Sequence, residues 1–372
     1  MAAAMGIGRF AYTPLLPEMV STFGWNFAQA GDVASANFLG YMLGALLAPR
    51  LIHSRLLRLW VAFSLMLSVI TTALGAEVDG YVAWLVVRFV SGVASALCLV
   101  FVTSHLIQVL SARRAERLGN VHFAGVGIGI IVCMATLGAP AAVDLQWARL
   151  GAASAVLMAF AWFLLSRETW AMVVPTSSKV GASTAEATGL WRIILGYGFF
   201  GFGYVVSATF IVAMATQVSD PGASSGLVWW IVGIAIVPSV YAWQWLANRI
   251  GLVVTLQIAY LVEALGALLA GVSGSMAGLI VACVLLGGTF AAITALGIST
   301  ARAAAPARIA YAVSAMTTAF AFGQLVGPFV AGRMADAQGD FLLASIIAAG
   351  LLFVAGLLLQ GLRLEPALNV NR

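Results

Sequence analysis

Residues 81–109 read YVAWLVVRFVSGVASALCLVFVTSHLIQV, with Arg88 the one formal charge among them. A helix that crosses a bilayer needs about 20 consecutive apolar residues, and a strand is far shorter than this run. The stretch therefore reads as a membrane helix. Working outward in both directions, comparable runs fall at about 1–19, 28–48, 59–76, 81–109, 118–139, 146–165, 191–217, 224–246, 252–271, 276–300, 308–332 and 341–361, separated by charged or turn-rich breaks. The expected fold class is all-α, a polytopic membrane protein with twelve transmembrane helices. The first run is short for a span: either its helix is tilted or it begins upstream of Met1.

Composition agrees. The 372 residues are 62% hydrophobic and only 8% charged, with mean hydropathy +1.04. Soluble domains carry about 25% charged residues, so this chain cannot coat a globule of its size. Disorder, coiled coil and nucleic-acid binding fail on the same ground. The net charge of +5 is spread along the chain without a long run of one sign. Cys98, Cys133 and Cys283 each lie inside an apolar run, so they read as core thiols, implying neither disulfide nor metal.

The basic residues are asymmetric. One set of loops holds Arg50, Arg55, Arg58, Arg113, Arg114, Arg117, Arg167, Lys179, Arg249, Arg302, Arg308, Arg363 and Arg372. The other holds mainly acids (Glu18, Glu77, Asp79, Asp144, Asp220, Asp336, Asp340), with Arg149 and Arg333 at helix ends. Loops rich in Lys and Arg stay in the cytoplasm, which predicts both termini there and an inner-membrane location.

The longest polar break, Ser166 to Gly189, reads as a linker. An offset of 195 residues superimposes Gly6-Ile7-Gly8 on Gly201-Phe202-Gly203, Met19 on Met214, Gly31 on Gly226 and Gly92 on Gly287. A parallel repeat of two six-helix bundles follows: 1–165, a cytoplasmic linker at 166–190, 191–361, and a cytoplasmic tail at 362–372.

The string Gly6-Ile7-Gly8-Arg9-Phe10-Ala11-Tyr12-Thr13-Pro14-Leu15-Leu16-Pro17 resembles the first-helix signature of the YbfB/YjiJ-like branch of the major facilitator superfamily. Asn37-Phe38-Leu39-Gly40-Tyr41, Arg88-Phe89-Val90-Ser91-Gly92, His122-Phe123-Ala124-Gly125, Gly287-Gly288-Thr289-Phe290 and Gly323-Gln324 extend the resemblance over essentially the whole chain. It implies a secondary transporter working by alternating access, and no particular substrate. The superfamily's acidic residue between helices 2 and 3 is missing from Ala48-Pro49-Arg50-Leu51-Ile52-His53-Ser54-Arg55.

Polar groups in the spans carry the chemistry. Arg9 lies ~16 Å from the outer end of its helix, near the midplane, where a guanidinium costs ~2.5–3.5 kcal/mol. It is read as an anion clamp, against an internal ion pair. Arg88 adds positive charge or serves coupling. Tyr12, Tyr204 and Phe290 supply aromatic walls. Asn37 and Tyr41, four apart, share a helix face and read as cavity-lining; Thr289 and Gln324 reach the substrate or bond a neighbouring helix. Asp32, Glu263 and His122 are the candidate proton-coupling groups. No metal or cofactor spacing and no nucleotide loop is present.

The expected function is secondary transport of a small organic anion such as a carboxylate, proton-coupled, with the small-molecule substrate, the lipid bilayer and protons as partners. No nucleic acid and no obligate protein partner is expected, nor is the chain an enzyme. Efflux of apolar compounds is the alternative carrier reading, and a non-transporting membrane sensor the third.

Overall fold

A computed structural model describes residues 1–52, 56–113, 121–138, 141–167, 187–218, 223–305 and 308–362. Residues 53–55, 114–120, 168–186 and 363–372, which hold most of the expected linker and tail and several loop cations, lie outside the described residues. Within the described residues the chain is helical throughout. A π-helical segment, Ala2–Ile7, leads into α1 (Tyr12–Phe23). There follow α2 (Phe27–Ile52), α3 (Leu57–Ala73), α4 (Tyr81–Ala112), α5 (Ala124–Leu137) and α6 (Val143–Leu165). The second set is α7 (Ala187–Val218), α8 (Ala223–Ile250), α9 (Leu252–Val272), α10 (Met276–Ala304), α11 (Ile309–Gln338) and α12 (Leu342–Leu358). Eight helices are long and apolar enough to cross a membrane. Phe63, Val86, Phe160, Tyr241, Phe322 and Phe353 stand exposed around the bundle, the surface that lipid rather than water would cover.

Local chemistry sets the helix ends. Pro14 and Pro17 cannot donate to Phe10 and Thr13 in the preceding turn, so α1 starts late and the chain makes an irregular turn across Gly8–Ala11. Gly24 closes α1 at φ +65°, a left-handed conformation that costs glycine least. Asn26 then opens α2 with a reciprocal cap: Gln29 N donates to Asn26 Oδ1 (2.8 Å) and Asn26 N to Gln29 Oε1 (3.1 Å).

Glycines set the helix approaches. A Cβ on Gly40 would strike the Phe89 carbonyl of α4, and one on Gly92 the Asn37 carbonyl of α2. These two helices pack backbone to backbone, as small residues allow in a membrane.

Among the described residues the first six helices meet the last six mainly where α2 packs on α11, α5 on α8 and α1 on α7. The 195-residue offset turns α2 into α8 and α5 into α11, so the first two seams are repeat-mates. At the third, Thr13 Oγ1 donates to the Ala208 carbonyl (2.6 Å), and these two residues are themselves 195 apart. A two-fold relation between the repeats would place its axis at such a contact between equivalent positions, that is, between α1 and α7.

The face at which α2 ends and α3 begins is here called the terminal face. The seam contacts run from mid-bundle to the opposite, far face: Ser35 Oγ to the Leu325 carbonyl (2.8 Å), Gly31 under the Pro328 carbonyl, Gly332 under that of Phe27. Far-face acids Glu77, Asp79, Asp144, Asp336 and Asp340 are exposed, as are Arg50, Arg58, Arg113, Arg249, Arg302 and Arg308 towards the terminal face.

Candidate substrate site between the helix bundles

The irregular turn ahead of α1 fixes the centre of the molecule. Its freed carbonyls are claimed by α4: Arg88 Nη1 donates to Gly8 O (3.1 Å), Arg88 Nη2 to Arg9 O (2.9 Å), and Ser91 Oγ to Gly8 O (3.0 Å). Tyr12 lies below, its ring 5.0 Å from the Arg88 guanidinium carbon and its hydroxyl bonded to the Ala30 carbonyl (2.9 Å). Asn37 Nδ2 donates to the Arg88 carbonyl (2.9 Å). Arg88, Tyr12 and Asn37 are thus the knot tying α1, α2 and α4 together, and each already has backbone partners.

Arg9 is different. Its side chain is buried, 3% exposed, with the guanidinium carbon 4.3 Å from the Tyr41 ring centroid, 4.7 Å from that of Phe38 and 5.5 Å from that of Phe10. Nε and Nη2 have no hydrogen-bond partner. No acidic side chain among the described residues pairs with it. Three cation–π contacts at up to about 2 kcal/mol each offset much of the several kcal/mol that burying an ion costs, but they satisfy none of its N–H groups. A guanidinium held this way keeps unused donors. The cavity beside it, lined by Arg9, Phe10, Tyr12, Thr13, Phe38, Arg88 and Thr209 among others, measures only about 10 Å³, room for one water. The halves are closed over it.

The last six helices face Arg9 with aromatic planes. Tyr204 of α7 lies parallel to Phe290 of α10 (5.4 Å, 3°) and to Phe320 of α11 (5.6 Å, 3°). Phe10 meets the edge of Phe290 at 5.9 Å and approaches Trp229 at 6.2 Å. Gln324 Nε2 donates to the Tyr204 hydroxyl while its Oε1 is unpartnered. Arg9, Tyr41, Tyr204, Phe290 and Gln324 therefore converge on one region. Thr289 does not: its hydroxyl is turned to Glu263 of α9 and to the Leu285 carbonyl (2.5 Å).

The three candidate coupling groups are far apart. His122 precedes α5 towards the terminal face, where Nε2 is 3.0 Å from Thr103 Oγ1. Glu263 is 1% exposed in the interior of the second bundle. Asp32 sits near the far face, gripped by Arg333 (2.7 and 3.2 Å) and receiving a hydrogen bond from Tyr81 (3.0 Å). Asp336, one helical turn beyond Arg333, accepts from Phe27 N (2.9 Å) and Ala28 N (2.8 Å) at the start of α2. Sequence reasoning missed this four-residue clasp. Its one legible sign was the recurrence of charge on a single face of α11 at Arg333 and Asp336.

Comparison with known proteins rests on this framework. Solved structures of the nucleoside transporter NupG share the fold: one variant superposes with a TM-score of 0.72 at 16% identity over 96% of this chain and 98% of that one. A second NupG structure gives 0.70 at 14% identity, covering 96% of each. No curated protein matches by sequence. The family described as uncharacterised MFS-type transporter YbfB matches residues 1–360. With twelve helices and that near-complete match, the chain belongs to the YbfB-type family of the major facilitator superfamily and is a multi-pass membrane transporter.

Proposed function

We propose that the protein carries a small organic anion, a carboxylate, across the inner membrane by alternating access, with protons as the driving ion and both termini in the cytoplasm. One observation carries this reading: a buried, permanently charged guanidinium with two nitrogens that lack a hydrogen-bond partner and, among the described residues, no acidic side chain paired with it. A carboxylate is its natural complement, because the planar fork of an Arg matches two carboxylate oxygens. Phe10, Phe38 and Tyr41 hold the fork from the sides, and the Tyr204–Phe290 wall would flank an apolar or planar body.

The halves 1–165 and 191–361 would rock against each other about an axis lying in the membrane plane. Opening towards the far face requires the α2–α11 seam and its charged clasp to part. Opening the other way leaves them joined. The cationic loops near the chain ends support cytoplasmic termini.

Proteoliposomes offered a panel of small carboxylates, benzoate included, test the reading. Saturable uptake should disappear in Arg9→Gln. Unchanged flux in that variant would discard the clamp, and stabilisation by lipophilic cations alone would favour the efflux of apolar compounds instead.

A further inference from the structure

Glu263 is a carboxyl that nothing in the anion site uses. It lies midway along α9, which packs against α7, α8, α10 and α12. The ionisable side chains that these elements bring are few. On α9 itself there is Tyr260, one turn away. From α7 come Tyr197, Tyr204 and, at the terminal face, Arg192, which bonds the Gln360 carbonyl. From α8 come the outward-facing Tyr241 and Arg249, whose guanidinium covers Trp245. From α10 come Cys283 and the exposed Arg302, and α12 brings none. No cation pairs with the Glu263 carboxylate among the described residues.

The hydrogen bonding around it is ordered for a proton. Thr289 Oγ1 touches both Glu263 Oε2 and the Leu285 carbonyl oxygen. A hydroxyl has one hydrogen. If the carboxylate is ionised, Thr289 can satisfy one acceptor and must press a lone pair against the other. With a proton on Glu263, the carboxyl donates to Thr289 and Thr289 donates to Leu285. Every contact is then satisfied.

The same group is linked to Arg9 by two short routes. Phe10, next to Arg9, meets Phe290, next to Thr289. The Tyr204 hydroxyl lies in the electrostatic field of both Arg9 and Glu263. Resting on the anion reading for its second half, we infer that Glu263 is the proton-binding group of this transporter and that its proton is taken up together with the anion on Arg9. Acting through Tyr204, which is sensitive to both groups, a positive Arg9 favours the ionised carboxylate. An anion seated on Arg9 cancels that support, and Glu263 Oε2 takes a proton from water, forming one O–H bond. Coupling of this kind is reciprocal, so the proton also tightens the anion. One proton with one monoanion moves without net charge.

Infrared titration of the purified full-length protein tests this without any substrate. The wild type should show a protonated-carboxyl C=O band that titrates with pH and is absent in Glu263→Gln. In Arg9→Gln the midpoint of that band should move upward, the direction expected on losing an opposite charge, whereas Arg9→Lys should leave it in place. Should Glu263→Gln not fold, Thr289→Val keeps the carboxyl but removes its partner and must shift the band frequency. A titrating band that survives Glu263→Gln, or that ignores Thr289→Val, removes the proton site; a midpoint indifferent to Arg9→Gln removes the coupling. Failure of the anion reading looks different: carboxylates such as benzoate then do not bind, while the Glu263 band still titrates.

Discussion

Arg333 holds Asp32 with both terminal nitrogens, at 2.7 and 3.2 Å, and so ties α11 to α2 across the two halves. Among the described residues the corresponding seam, α8 against α5, shows no such ion pair. An offset of 195 takes Asp32 to Leu227 and Gly138 to Arg333. Contacts there are apolar instead: Gly233 against Ile130, Gly127 against Ile236, Gly226 against Met134. Among the described residues the α2–α11 seam carries charge and the α5–α8 seam does not, so pH and salt should act on the far-face opening through α2 and α11.

Breaking the clasp should favour the far-face-open form. Partly exposed ion pairs contribute about 1 kcal/mol at most, equivalent to about a fivefold shift in population. A cysteine at Ala30, buried in the wild type, should react several-fold faster with an impermeant thiol reagent in Asp32→Asn than in the parent. The swapped pair Asp32→Arg with Arg333→Asp should restore slow labelling.

The two buried arginines should respond oppositely to removal. Arg88 satisfies two backbone carbonyls, and stranding a buried polar group costs about 1–3 kcal/mol. Arg88→Met should therefore lower the melting temperature in detergent. Arg9→Met removes an unpaired buried charge and should raise it or leave it unchanged, while abolishing carboxylate binding. Equal destabilisation by both would contradict the division of labour between them.

Glycine substitutions separate contact from propensity. Gly40→Ala and Gly92→Ala place a methyl against the facing helix backbone and should destabilise by about 1–3 kcal/mol through overpacking. Gly350 has open space where its Cβ would stand, so Gly350→Ala should gain up to about 1 kcal/mol of helix propensity. Thermal unfolding of the three variants reads the difference.

Tyr204→Phe keeps the ring in its stack but removes the hydroxyl that Gln324 bonds. The buried Gln324 amide then loses its partner, and the electrostatic relay between Arg9 and Glu263 loses its middle member. Folding should survive, with carboxylate uptake less responsive to an imposed pH gradient than in the wild type. An unaltered response would exclude Tyr204 from coupling.

Helix number and placement were legible from hydropathy because a membrane leaves a chain little freedom: every backbone polar group must be satisfied internally, and apolar length follows bilayer thickness. Arg9 stood out for the same reason, as a charge that composition alone would remove. The duties of Arg88, Asn37 and Thr289 were not legible. Each is polar at mid-depth, and whether such a group meets a cavity or a neighbouring carbonyl depends on where the turn at Gly8–Ala11 leaves its unpaired oxygens. The Arg333–Asp32 pair was hidden more deeply, since its members are three hundred positions apart and α2 and α11 become neighbours only when the halves assemble.

Thr13 and Ala208 occupy the same station in the two repeats and meet each other. Any swing of one bundle against the other displaces that point least, as a fulcrum is displaced least by its lever. A covalent bridge between α2 and α11, which lie away from that point, should therefore arrest turnover.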